Sequence, residues 1–298
     1  MNDSKPVQWA RRCAPVGLSL TTLACLLAAG SVIAAERQKD ADEPSPFTLG
    51  WADNFLKIHG ERLPGKQVEV LYLEAYCRPN STNRPWGETV IGHRTKLVKA
   101  SPDKRSLRLR CTLKDGVTVD HDIRARADGV EFGLKAHNPT AVASAAHWAQ
   151  PCIRVGRFTG RDQKTYLEKC FVFLDGKLTR MPTPRWATEG FYTPGQVWAP
   201  RHVRRRDVNP RPLSADVPSN GLIGCFSADG KMILATASEP YQELFQGVVV
   251  CIHSDFRIGG LQPGETKTIR GKIYLVDADV PALLRRYARD FPEHAKAR

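Results

Sequence analysis

Apolar and polar positions alternate along most of the chain from Val68 to Leu275, the period-two signature of strands that bury one face. Val68, Val70, Tyr72 and Tyr76 alternate with Leu71, Leu73, Ala75 and Cys77, so a strand covered on both faces is expected here, near the centre of a sandwich. Three alternating runs follow: Leu107-Leu109-Cys111-Leu113, Val117-Val119-Ile123-Ala125 and Val130-Phe132-Leu134-Ala136. Asp115-Gly116 and Asp128-Gly129 separate them, and Asp175-Gly176 and Asp229-Gly230 repeat the device. Such dipeptides favour type I′ hairpin turns, whose two central residues both need positive φ. Cys152–Val155, Cys170–Leu174, Leu222–Phe226, Met232–Ala237 and Gly247–Ile252 read as further strands, and a last pair flanks Pro263-Gly264. The expected fold is all-β, a large antiparallel β-sandwich with one C-terminal helix. Asp279 caps that helix, which runs to about Phe291. Leu283, Leu284, Tyr287 and Phe291 form its apolar face, with Arg285, Arg286 and Arg289 outside.

The interruptions of this pattern set the organisation. Residues 36–46 are a polar linker, Phe47–His59 is an aromatic-rich lead-in that forms a short strand or a turn of helix, and residues 78–94 are a turn-rich loop carrying Trp86. Alternation stops again from Thr179 to Asn220. That is long for a structureless connection in a single domain spanning 47–298, which marks the segment as functional or as a surface wrap. It holds seven prolines, seven arginines and the aromatics Trp186, Phe191, Tyr192 and Trp198.

Composition changes the picture in two places. Hydrophobic residues at 42% and charged residues at 25% exclude a disordered chain. At the N-terminus Lys5, Arg11 and Arg12 precede the apolar stretch Val16–Ala29 and the small residues up to Ala35, the layout of a signal peptide over 1–35; a membrane anchor is the alternative. Periplasmic or extracellular location is therefore expected, with no stable membrane insertion after cleavage. The chain has net charge +13, and loss of residues 1–34 removes three basic residues and one acidic, leaving +11. A basic exported protein points to anionic polysaccharide rather than nucleic acid as partner. The cysteines beyond the leader, Cys77, Cys111, Cys152, Cys170, Cys225 and Cys251, show no C-x-x-C spacing, so neither a metal nor another cofactor is expected. They act as small buried hydrophobes or as bridges, in which case the chain-neighbour pairs Cys77–Cys111, Cys152–Cys170 and Cys225–Cys251 are the expected partners.

Candidate chemistry clusters at strand entrances and in the long loop. His147, Trp148 and Gln150 precede an apolar strand, where an indole face and polar groups suit a sugar; the alternative is that Trp148 is core. Alternation puts His253, Asp255 and Arg257 on one face, as a proton-transfer pair beside a receiver for carboxylate or sulfate, or else as a solvated strand end. Trp186, Tyr192, Trp198 and Arg204 would form one wall of an anionic-glycan site. His121 lies opposite Asp120 and Asp122 and reads as part of a solvated strand. There is no nucleophile elbow, phosphate-binding glycine loop or H-E-x-x-H helix.

Two stretches carry a family resemblance. GVTVDHDIRARADGVEFGLKAHNPT resembles the central meander of the galactose mutarotase-like β-supersandwich superfamily, and FRIGGLQPGETKTIRGKIYLVDADVPALLRRYARDF is similar to the ends of sandwich domains in carbohydrate-active enzymes. The resemblance implies sugar chemistry without choosing among aldose epimerases, polysaccharide lyases and accessory domains. Aldose epimerases use a histidine acid and a glutamate base in motifs this chain lacks. Glu239, Glu243 and Glu265 are present, but no catalytic role is carried over to them. The expectation is a carbohydrate-binding or carbohydrate-processing protein, epimerase-like or lyase-like if catalytic, with a non-catalytic interaction module as the alternative.

Overall fold

Residues 44–296 are described by a computed structural model, and they form two antiparallel sheets packed face to face. The expected signal segment and most of the 36–46 linker lie outside the described residues. The linker's last residues do pack: Ser45 is buried and its hydroxyl donates to the Arg126 carbonyl at 2.9 Å.

The first sheet contains β1 (Thr48–Ala52), β2 (Phe55–His59), β3 (Gln67–Cys77), β4 (Val90–Ile91), β9 (Trp148–Arg154), β12 (Gln196–Trp198), β15 (Tyr241–Gln246) and β16 (Cys251–Arg257). Its order is β1-β2-β3-β9-β16-β15-β12, with β4 pairing β3. The second contains β5 (His93–Ala100), β6 (Ser106–Leu113), β7 (Thr118–Arg126), β8 (Gly129–His137), β10 (Cys170–Leu174), β11 (Lys177–Arg180), β13 (Ile223–Phe226), β14 (Met232–Glu239) and β17 (Thr266–Asp277), in the order β11-β10-β13-β14-β17-β8-β7-β6-β5. The all-β sandwich with a C-terminal helix is thus the observed architecture. Val70, Ile153, Ile252 and Phe256 from the first sheet meet Leu109, Val119, Leu134 and Ile273 from the second in one core.

The aromatic lead-in is the β1–β2 hairpin, turned by Asp53 and Asn54 at φ 53° and 62°. Among the Asp-Gly turns, only Asp175-Gly176 has both residues at positive φ, 49° and 73°, as a two-residue type I′ turn needs. Gly247–Val250, read as the start of a strand, is instead the turn between β15 and β16. The strands flanking Pro263-Gly264 are not partners, because β16 belongs to the first sheet and β17 to the second. The cysteine pairs also differ from expectation. All six are free and buried; Cys170 stands opposite Cys225 across β10 and β13, and Cys152 lies beside Cys251 across β9 and β16.

Helix α1 (Val280–Asp290) begins where expected, with the Asp279 carboxylate accepting from the Ala282 N–H at 2.9 Å. Leu283, Tyr287 and Phe291 cover Phe171, Ile233, Ala235 and Tyr274 on the outer face of the second sheet. Burial of such side chains stabilises by roughly 1.5–3 kcal/mol each. Arg286 and Arg289 are not purely outward: Arg286 reaches Asp128 at 3.3 Å and the Arg289 side chain is only 14% exposed. The segment 181–221 crosses from β11 to the first sheet, adds β12 to its edge, and returns to β13. Its residues Ala199, Val203 and Val208 pack with Val197 and Phe245 in a small core of their own.

Candidate functional site

The strands β3, β9, β16 and β15 are neighbours in the first sheet. Where Ile252 and Phe256 of β16 turn into the inter-sheet core, the alternate positions Cys251, His253, Asp255 and Arg257 must face outward. Gln150 and Cys152 on β9 and Glu243 on β15 share that face. Residues 207–209 of the long segment close over it. The Asn209 backbone N–H donates to both Glu243 oxygens, at 3.0 and 3.2 Å, and the Asn209 amide donates to Gln150 Oε1 at 3.2 Å. Gln150 Nε2 in turn donates to Glu74 Oε2 at 2.6 Å. A hydrogen-bonded chain therefore leads from half-buried Glu74 on β3 to fully buried Glu243.

The inner end of this row is sealed. His253 and Asp255 are 1% and 0% exposed, with Nδ1 of the imidazole 3.5 Å from Asp255 Oδ1. They lie within β16 rather than at a solvated strand end, because β16 starts four residues later than the run of valines implied. Burial pushes the Glu243 carboxyl well up, aided by the Asp255 charge across the strand pair. Burial likewise raises Asp255 to about 6, against the opposing pull of His253. Burial would lower the His253 imidazole, but Cys251 and Asp255 outweigh it and hold the ring well above its ordinary value.

The outer end is an ion-pair knot. Arg257 Nη1 donates to Gln242 Oε1 at 2.5 Å and to Asp207 Oδ2 at 3.2 Å, and His147 Nδ1 lies 3.8 Å from the same Asp207 oxygen. The Asn80 N–H donates to Asp207 Oδ1 at 3.0 Å. Burial pushes Asp207 up, yet His147, Arg257 and the Asn80 N–H together hold its carboxyl below the ordinary value. Arg257 is thus committed to internal partners. Along β16, Arg257 and His253 stand four residues apart, roughly 13 Å at strand rise, so His147 and His253 do not converge.

A third group of side chains is only partly buried. The Trp86 backbone N–H donates to the Tyr192 hydroxyl at 3.0 Å, the Arg211 guanidinium sits 5.2 Å from the Tyr192 ring centre, and Phe191 stacks edge-on to Tyr192 at 4.7 Å. Phe191 is 48% exposed, while Trp86, Tyr192, Arg211 and Glu74 are each half-buried. Burial lowers the Arg211 pKa, opposed by Tyr192 and by the Glu74 charge.

The predicted residues divide accordingly. Trp148 is buried among Ala75, Cys77 and Trp86, and Trp198 is buried in the inter-sheet core, so neither offers a stacking face; Trp186 is half-buried and packs edge-on against Trp198 at 5.7 Å. Tyr192 is half-buried beside Arg211 and Phe191, and Gln150 is buried between Glu74 and Asn209. Arg204 and Arg206 are exposed with no acidic partner among the described residues, whereas Arg205 donates to the Ser214 carbonyl at 3.0 Å and holds the loop. Glu74, Trp86, Asp207, Asn209 and Arg211 were not singled out by the sequence. A charge within the apolar run Val70–Cys77 of β3 was the one signal for Glu74.

No protein-family model matches the chain, and no curated protein matches it. Solved structures similar to it are galactose mutarotase-like proteins and aldose 1-epimerases. A galactose mutarotase-like protein from Lactobacillus casei is 9% identical, with 77% of this chain and 99% of that one covered and a TM-score of 0.42. A putative aldose 1-epimerase from Escherichia coli is 11% identical, with 78% and 99% covered and a TM-score of 0.41. The Slr1438 protein from Synechocystis is 8% identical, with 78% and 92% covered and a TM-score of 0.47.

Proposed function

We propose that this is an exported carbohydrate-binding protein that holds an anionic glycan at the partly exposed aromatic group beside Arg211. The observation that carries the reading is the gathering of Phe191, Tyr192, Trp86 and Arg211, two residues along the chain from the Asn209 that ends the Glu74–Gln150–Asn209 hydrogen-bond chain. Aromatic surface suits a sugar ring, the guanidinium fork suits a carboxylate or sulfate, and Glu74 suits ring hydroxyls. The exposed Arg204 and Arg206 of the same long segment add to the positive field. Binding fits better than epimerase or lyase chemistry, because His253 and Asp255 are buried away from any sugar carbon and His147, 24% exposed, stands apart from them against Asp207.

A panel of uronic-acid and sulfated oligosaccharides tests it. Phe191→Ala and Arg211→Gln should each weaken the best ligand by at least about 10-fold with the melting temperature nearly unchanged. The double replacement of Arg204 and Arg206 by Ala should flatten the salt dependence of binding. Arg205 is left intact because it supports the loop. Equal affinity of all variants, or no glycan bound at all, would sink the reading. Export is checked separately: protein from its native host should begin near Ala35 or Glu36, and an intact Met1 in the cytoplasmic fraction would reject it.

A further inference from the structure

The sealed end of the polar row holds a second constellation that glycan binding does not use. Cys152 Sγ, Cys251 Sγ and a ring nitrogen of His253 all lie within 4.8 Å of one another, and all three residues are buried. The spacing of cysteines along the chain pointed away from thiolate ligands; strand register assembles them instead. On β16, Cys251 and His253 are two apart and so share a face, and β9 brings Cys152 alongside. We propose that Cys152, Cys251 and His253 form a binding site for one thiophilic d10 cation, Zn(II) or Cu(I).

Four observations converge on it. First, two thiol sulfurs and an imidazole are the soft and borderline donors that select these cations over magnesium or calcium. Second, His253 is oriented from both sides: Nε2 lies 3.2 Å from Cys251 Sγ, and Nδ1 faces Asp255 Oδ1 at 3.5 Å. A carboxylate behind the imidazole is the arrangement that fixes the ring of a metal-bound histidine. Third, among the described residues His253 Nδ1 and both Asp255 oxygens have no hydrogen-bond partner, although their residues are 1% and 0% exposed. Orphaned polar atoms at that depth are costly, and a cation that drew the ring and its carboxylate together would relieve them. Fourth, Gly247 lies against the donors. A Cβ there would stand 2.2 Å from Cys251 Sγ and 3.3 Å from His253 Nε2, so any side chain would strike the sulfur. Gly247 is not at positive φ, so close approach, not backbone conformation, is what demands glycine.

The dimensions agree. Metal–sulfur and metal–nitrogen bonds of about 2.3 and 2.0–2.1 Å set donors roughly 3.6–4.0 Å apart, so the sulfur and Nε2 need separate by only a few tenths of an ångström. Three donors satisfy Cu(I), while Zn(II) would take a fourth ligand from solvent. The covering turn reaches solvent at Val249, which is 46% exposed. Asp255 acts here as a positioning residue for His253.

The full chain, purified reduced and stripped with a chelator, is titrated with Zn(II) and, anaerobically, with Cu(I), against chromophoric competitors. One equivalent of one of the two cations is expected, with a metal-dependent rise in melting temperature; the arm that binds more tightly identifies the cation. Co(II) should give thiolate-to-metal absorption in the near ultraviolet. Cys152→Ala and Cys251→Ala should each weaken binding by at least about 100-fold, and Asp255→Asn by about 10–100-fold. Cys170→Ala, in the second sheet, should leave the stoichiometry at one. Melting of each variant without metal shows that it folds, and Cys251→Ser replaces any alanine variant that does not. Reactive thiols at every cysteine and no bound metal would overturn the site, as would a Cys152–Cys251 disulfide in protein from the native host. Binding that survives all three substitutions would also overturn it.

Discussion

Replacing Lys272 with methionine should destabilise the protein by about 3–5 kcal/mol, the scale on which a buried ion pair is broken from one side. Lys272 is 4% exposed in β17, with Nζ 3.0 Å from Asp128, 2.9 Å from Asp290 and 3.6 Å from Glu131. Asp128 belongs to the turn entering β8 and Asp290 ends α1, so one ammonium ties two strands to the helix that covers them. Burial alone would lower the Lys272 pKa, but the charges of Asp128 and Asp290 outweigh it and the net shift is upward. The raised value means that this contribution is fully present below the unfolded pKa and is lost as pH rises through the folded one, at the alkaline end. Methionine keeps the volume and removes the charge, leaving Asp128 and Asp290 with Arg286 and Arg289 at their margins. Urea unfolding should show a lower midpoint at unchanged slope. Hydrogen exchange should accelerate first in α1. Asp290→Asn in the Lys272→Met background should recover part of the loss. A cost below about 1 kcal/mol would show that the arginines compensate in full.

The second sheet was far more legible than the site on the first. Its strands β6–β8 alternate cleanly because one face meets the core and the other meets water, where exposed pairs such as Arg110–Asp120 at 2.6 Å sit. On the first sheet the rule fails, since the outer face is roofed by residues 207–209. The sequence YQELFQ of β15 is buried at all six positions, so its polar residues are covered rather than solvated. Three valines in a row at 248–250 read as strand by propensity, yet they form a turn in which Val250 takes φ 55°. That moved the expected strand by four residues and put His253 and Asp255 at its end instead of its middle. The site itself joins positions 74, 150, 209 and 243. These are set by pairing between strands remote in sequence, and no local pattern encodes that pairing. His121 shows the same limit on a smaller scale: alternation separated it correctly from Asp120 and Asp122, but not whether its own face was inside.

Acid should weaken the fold through His121. Its ring is 2% exposed between the sheets, with Nδ1 2.9 Å from the Tyr72 hydroxyl, Nε2 3.2 Å from the Tyr76 hydroxyl and Tyr72 edge-on at 5.3 Å. Two hydroxyls serve a neutral imidazole well, since each can donate or accept. They cannot replace the hydration of a cation. Burial therefore holds the pKa down to about 3, and the Asp120 charge opposes it too weakly to matter. Above the ordinary value of 6.5 the ring is neutral in both folded and unfolded chains, and its full contribution is present. As pH falls below 6.5 the unfolded chain takes up a proton that the folded one refuses. Stability is then lost at about 1.4 kcal/mol per pH unit, reaching roughly 4–5 kcal/mol near pH 3. Other carboxyls titrate in the same range, so the decisive quantity is the difference between two proteins. His121→Gln keeps a hydrogen bond to Tyr72 and removes the titration. It should be less stable than the parent at pH 7, by about 1–2 kcal/mol, because its packing is imperfect. Below pH 5 that gap should close and reverse. Urea midpoints measured at intervals from pH 7 to pH 4 decide the matter, and parallel curves for the two proteins would show that the proton is accommodated inside the sandwich after all.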